Sequence, residues 1–155
     1  MPAGDLLPTE GELYAAEVNA LLLAPYKGFG GADWWITELT GFGDTAVKDQ
    51  DVAFDGLDGG FAGPDYLTET ALVFTVACNA GTASAGEAAY RVLRAAFLPG
   101  PDVELHLWAP DWGHVYLTGR TRGSVPKRVH MAKGILFAQA TFIALDPTIT
   151  EVPAP

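Results

Sequence analysis

The chain has 155 residues, with 19 Asp and Glu against 9 Lys and Arg, for a formal charge of −10. That length suits a single domain (1–155) able to bury roughly 68–70% of its unfolded surface, and 49% hydrophobic against 18% charged residues excludes a disordered polyelectrolyte. The acidic balance excludes broad phosphate-backbone binding, which needs clustered Lys and Arg. The single cysteine, Cys78, excludes an internal disulfide and a Cys-based zinc site.

In chain order, Glu12–Leu23 is strongly apolar with some alternation, and Trp35–Leu39 alternates more cleanly, so both read as strands. Residues 41–65 carry seven glycines or prolines together with Asp44, Asp49, Asp51, Asp55, Asp58 and Asp65, which predicts a long acidic loop, either functional or disordered. Tyr66–Cys78 follows as a strand, with Thr68, Thr70, Leu72, Phe74 and Val76 on one face. Ser84–Phe97 is the one helix. Ser84 and Glu87 have capping-box spacing, Ala85, Ala88, Ala89, Val92, Leu93 and Ala96 form a buried stripe, and Glu87 and Arg91 can pair at i, i+4. Asp102–Trp108 and His114–Thr121 make a hairpin around the turn Ala109–Gly113, Pro126–Ala132 and Gly134–Leu145 a second pair, and 148–155 a flexible tail. Strands with a single helix define a mainly β (α+β) fold, a β-sandwich or half-open barrel with a flanking α-helix.

The charge is segregated. Residues 1–70 hold 13 acids and 2 bases, whereas residues 71–155 hold 6 acids and 7 bases. A solvated acidic loop would keep the protein soluble. A surface that repels something negative, or meets a basic partner, would show the same pattern.

No catalytic constellation emerges. His106 and His114 can face each other across the first hairpin with Asp111 in its turn, and His130 is the only other imidazole. No zinc spacing matches, so structural roles account for them. Ser84 lacks the Gly-flanked elbow of a hydroxyl nucleophile, and Gly28–Gly31 opens no phosphate-cradling helix. Cys78 reads as a small buried apolar residue. Trp35 and Trp108 suit the core, which leaves Trp112 as the exposed ring. No stretch has the apolar length of a membrane span and the N-terminus lacks a signal-peptide pattern. The expectation is a soluble, non-enzymatic domain without catalytic, cofactor or metal residues, made in a reducing cytoplasm.

Several motifs in series carry a resemblance. Trp35–Leu39 leads into Gly41–Phe42–Gly43, a variable acidic segment, and then the Asp-Gly turn Phe54–Gly60. The Thr-rich strand Thr68–Phe74 comes next, then the helix end Leu93–Pro99 and a terminal Phe142–Pro147. In this order and spacing the chain resembles the N-terminal, tail-tube-like domain of siphophage distal tail proteins, also called minor tail proteins, from about Trp35 to Pro147. The resemblance implies a virion structural protein with no enzymatic activity. It would form a hexameric ring at the distal end of the tail, joining the tail tube protein to a tail-associated lysin or other hub and keeping a channel for DNA in transit. It further implies assembly in the host cytoplasm and residence in the virion tail, with no membrane contact. Tail-tube and tail-terminator subunits share a related fold and stand as alternatives. The chain ends at Pro155, so the second, carbohydrate-binding-like domain of many relatives is expected to be absent. Asp44, Asp49, Asp51, Asp55, Asp58 and Asp65 are then the candidates for facing the lumen or a neighbouring subunit. A competing reading is a free-standing glycan-binding module using Trp112, Trp34 and calcium held by the acidic loop.

Overall fold

A computed structural model describes residues 2–44, 46–48, 52–53, 60–61, 66–146 and 148–153. Its strands are β1 (Ala15–Val18), β2 (Leu21–Leu23), β3 (Trp34–Thr40), β4 (Ala46–Lys48), β5 (Val52–Ala53), β6 (Gly60–Phe61), β7 (Tyr66–Thr68) and β8 (Thr70–Asn79). After helix α1 (Ala83–Phe97) come β9 (Val103–Ala109), β10 (Gly113–His130), β11 (Ile135–Ala144) and β12 (Thr150–Glu151). The apolar run expected as one strand over 12–23 is a hairpin, because Asn19 (φ 49°) and Ala20 (φ 62°) turn the chain with both central residues left-handed. That geometry matches the twist of a two-residue hairpin and sets Val18 opposite Leu21. The long loop is partly ordered into ladders, β4 with β7 and β5 with β6. Asp49, Asp51, Asp55, Asp58 and Asp65 lie outside the described residues.

One eight-stranded antiparallel sheet runs β2-β1-β9-β10-β11-β8-β3, with β12 added to β10. The 18-residue β10 joins two halves of it. Its first part, Gly113–Gly119, pairs with β9, and β11 takes over from Gly119 to His130, with a bulge between Thr121 and Ser124. The two strands expected over 114–121 and 126–132 are thus one, because Gly123 (φ 102°) bends the chain without ending it. Where the sheet's ends meet, Ala24 bridges to β3: its N–H donates to the Trp34 carbonyl (2.9 Å) and its carbonyl accepts from Ile36 (2.9 Å). This single bridge leaves the barrel half open. Thr150 and Glu151, expected in the tail, pair with Tyr116 and Val115.

The inner faces of both halves enclose one core. Phe74, Val76, Phe142 and Ala140 come from one half and Val18, Leu105, Leu107 and Val115 from the other, all essentially without solvent contact. Burying each of the large side chains contributes on the order of 1.5–3 kcal/mol. Helix α1 is the crossover between the halves and drives Leu93 and Phe97 into this core.

Three expectations about the helix are corrected. Its N-cap is Thr82, in extended conformation, whose Oγ1 accepts from Ala85 N–H (3.2 Å), so Ser84 already lies inside the helix. Glu87 bonds Arg128 of β10 in bidentate fashion (2.5 and 3.0 Å) in place of Arg91. The buried face is Gly86, Ala89, Tyr90, Leu93, Ala96 and Phe97, while Ala88 and Val92 point outward. Gly86 explains this rotation, since a Cβ there would stand 2.9 Å from Gly134 Cα and 2.7 Å from Leu136. The helix packs closest where it has no side chain.

The tryptophans are corrected as well. Trp34, not Trp35, is the core residue at 1% exposure, its indole N–H donating to the Ala89 carbonyl (3.1 Å). Trp35 and Trp108 are half-buried on outward-facing positions, because alternation along β3 and β9 places their neighbours inside.

Candidate assembly surfaces

Each half of the sheet has an outer face, and the two differ. On β1, β9 and the first part of β10, alternation turns Glu17, Glu104, His106, Trp108, His114 and Tyr116 outward. The N-terminal segment lies over them: Leu6 N–H donates to Glu17 Oε2 (3.2 Å), Trp108 Nε1 donates to the Gly11 carbonyl (3.1 Å), and Leu7 packs beside Ala15 and Leu22. His106 and His114 do meet, with Nδ1 of His106 at 2.8 Å from Nε2 of His114, and the His106 ring stacks on Tyr116. Nε2 of His106 lies 3.1 Å from Glu104 Oε2. The carboxylate can only accept, so His106 donates from Nε2 and its Nδ1 accepts from His114. Desolvation first, then the neighbouring His106, lowers the His114 pKa, against the opposing pull of Glu17. Asp111, in the hairpin turn, is not part of this pair's bonding, and among the described residues no group of three or more His, Cys, Asp and Glu is arranged to hold a metal ion.

Among the described residues no segment lies over the outer face of β8, β11 and the second part of β10. Val125 is 69% exposed and Val129 55%. With Thr75, Lys127, Phe137 and Gln139 they line an open groove of about 650 Å³. Pairing fixes this arrangement, because Val125 opposes Gln139, Lys127 opposes Phe137, and Gln139 in turn opposes Thr75. The sequence carried a signal for it. In β11, Ile135 and Phe137 alternate with Leu136, Ala138 and Phe142, so both faces of one strand are apolar, as in a sheet meant to be covered on both sides.

Of the six acids singled out, Asp44 alone is described; it is exposed, and its carbonyl accepts from Thr70 Oγ1 (3.4 Å). It stands where the acidic segment leaves β3. Beside that exit Phe42 meets Trp112 edge to face (5.8 Å) and Tyr14 (6.2 Å). Trp112 is 46% exposed, as expected. The buried Trp34 cannot join it as a sugar-stacking ring.

Burial pushes the Cys78 thiol up to about 11, helped by the negative charge of Asp33. It is an inert core residue.

No family model matches the chain, and no curated protein matches it. Among solved structures, the tail of an empty GTA particle with C6 symmetry aligns at TM-score 0.44 and 12% identity, over 99% of this chain and 100% of that one. The crystal structure of SPP1 Dit (gp 19.1), described as a paradigm of hub adsorption apparatus in phages infecting Gram-positive bacteria, aligns at TM-score 0.69 and 15% identity. That match covers 91% of this chain and 53% of Dit, so the chain spans about half of Dit's length. The half-open barrel with its crossover helix therefore shares its fold with that part of SPP1 Dit.

Proposed function

We propose that the chain is a structural subunit of a long-tailed phage, forming a hexameric ring at the distal end of the tail. The ring joins the tail tube protein to the tail-tip hub, a tail-associated lysin or another minor tail protein, and keeps a channel through which DNA passes without being held. The observation that carries this reading is the backbone agreement with SPP1 Dit over 91% of the chain. The sequence resemblance, which rests on ordered motifs and not on the backbone, supports it separately. Subunits of this kind assemble in the host cytoplasm and end in the virion tail.

The physical features suit a ring subunit. A ring needs complementary surfaces on each copy, and the bare apolar groove and the half-open barrel's edge at β3 are such surfaces. Asp44, Asp49, Asp51, Asp55, Asp58 and Asp65 serve either at the lumen or between subunits. At the lumen they repel phosphate, an effect that screening confines to DNA within about 8 Å of the wall. A tube or terminator station on the same tail is the second reading, since the same fold serves there. The glycan-binding module loses its two-ring platform to the burial of Trp34.

Negative-stain microscopy and sedimentation of the purified protein, alone and with isolated tail tubes, test the reading. The expected result is a six-fold ring, free or seated on the tube end. A protein that stays monomeric and ignores tubes, or one that hydrolyses glycans, overturns it.

A further inference from the structure

Two imidazoles that share a hydrogen bond form the bed on which the N-terminal segment rests. His106 is 7% exposed, and its Nδ1 stands 2.8 Å from Nε2 of His114. Residues 2–11 lie across the pair, and Gly4 is the point of contact. A Cβ there would be 2.6 Å from Cε1 and 2.8 Å from Nε2 of His114, and 2.9 Å from Nδ1 of His106. The Gly4 backbone therefore covers the hydrogen bond itself, and its φ of +90° suits glycine alone. Elsewhere the hold is light. Among the described residues, Leu6 N–H on Glu17 Oε2 and the Gly11 carbonyl on Trp108 Nε1 tie the segment to the sheet, Leu7 sits beside Ala15 and Leu22, and no ladder is formed.

The pair tolerates one proton but not two. When both rings are neutral, His106 donates from Nε2 to Glu104 and accepts at Nδ1 from His114. A first proton keeps the contact with its direction reversed: His106 donates from both nitrogens, and His114 accepts at Nε2 while carrying its own proton on Nδ1. A second proton leaves no acceptor between the rings and sets two positive charges at hydrogen-bond distance. Facing the pair are Glu17 of β1, Glu104 of β9 and Tyr116 of β10, and Asp5 of the segment and Glu151 of β12 line the cleft beside His114. Glu104 and Glu17 already accept from His106 and Leu6. If Glu17 turns to a charged His114, it gives up the Leu6 N–H that ties the segment down. A ring in water titrates at about 6.5, so a state with the segment lifted takes up protons more readily. Each proton gained favours that state by up to about tenfold per pH unit below this value.

We propose that residues 2–11 are an acid-released strap, closed over His106 and His114 at neutral pH and lifted when both rings carry a proton. Lifting uncovers Glu17, the two rings and the seat of Leu7 on the outer face of β1, β9 and the first part of β10. The device belongs to a single chain and stands apart from the ring reading.

Hydrogen exchange by NMR on the dilute full-length protein tests it. From pH 7.5 to 5.0, protection at Leu6 and Leu7, corrected for intrinsic rates, should fall at least ~10-fold. At both pH values it should lie at least ~10-fold below that of the β8 amides, as for an opening smaller than global unfolding. His114→Gln keeps a donor toward Nδ1 of His106 and, with its amide turned over, offers an acceptor once His106 is protonated. Its protection should change less than ~2-fold over the same range. Ring-nitrogen spectra of the parent should show the pair titrating in two steps, with the loss at Leu6 following the second. Constant protection at Leu6 overturns the proposal, as does a loss that follows the first step. A loss that persists in His114→Gln overturns it too, since a carboxylate would then be the trigger. Protection at Leu6 equal to that of β8 also sinks it, because the segment would leave only with the whole fold.

Discussion

The outer face over β9 and the first part of β10 is polar and covered, while the outer face over β11 and the second part of the same strand is apolar and, among the described residues, bare. A lone folding unit would arrange these the other way, because apolar surface gains most from being removed from water. The covered face keeps Glu17 and His106 buried at 6% and 7% exposure, each with a hydrogen-bond partner. The bare one leaves Val125 and Val129 to solvent. The difference teaches that the N-terminal segment completes the fold of one half, while the other half keeps an exposed apolar outer face, the surface that the proposed ring would use.

The two faces share one floor, so the largest expected effect abolishes both together. Phe142 is fully buried on β11 between the halves. Phe142→Ala should destabilise by about 3–5 kcal/mol, and denaturant unfolding should show a single lost transition. If the His106 face unfolded separately from β11, the single-core description would be wrong.

A smaller change breaks only the covered face. Gly4 has φ +90°, and a Cβ there would meet His114 Cε1 at 2.6 Å and His106 Nδ1 at 2.9 Å. Gly4→Val must lift the N-terminal segment from the histidine pair, at a cost on the order of 1–3 kcal/mol. Hydrogen exchange should accelerate at Leu6 and Leu7 while β8 and β11 stay protected. Unchanged protection at Leu6 would show that the segment does not depend on this contact.

The same face should give the protein a pH dependence. His114 has its pKa depressed in the folded protein below the usual 6.5, with His106, Glu17, Glu104 and Tyr116 as the ionisable side chains around the pair. The unfolded chain therefore binds the proton first. Stability is fully present above about pH 6.5, falls as the pH drops through that value, and levels off below the folded-state pKa. His114→Gln, which keeps a donor toward His106 Nδ1, should flatten thermal stability measured between pH 7.5 and 5. A slope identical to the parent's would place the titration elsewhere.

How much of this was readable in the sequence depends on the range of the forces involved. Local alternation marked β3, β8, β9 and β11 and the inner set Leu72, Phe74 and Val76, because period-two patterns report burial directly. The two-histidine contact was readable too, since a tight hairpin brings i and i+8 to one face. The cap at Thr82 and the outward turn of Val92 were not, because Gly86 allows a close approach to Gly134 that only the tertiary structure reveals. Nor was the cover over His106, which depends on residues about a hundred positions away. The groove was visible only as an excess, a strand apolar on both faces when one core needs one. Of the acidic segment the sequence supplied charge, and the described part adds the place from which Asp44 departs.

The smallest expected effect on stability tests the bare face. Val125→Thr combined with Val129→Thr keeps β-branching on the exposed strand and removes apolar surface that the monomer does not use. For dilute protein the change in unfolding free energy should stay within about 0.5 kcal/mol, as for surface positions generally. The covered face predicts the reverse, since Gly4→Val alters the monomer itself. Association adds stability that grows with the logarithm of protein concentration, so the parent's Tm should rise as concentration increases, and the double variant's should not. A double variant that loses several kcal/mol when dilute would mean that Val125 and Val129 support the fold of their own chain, and the contrast between the two faces would then disappear.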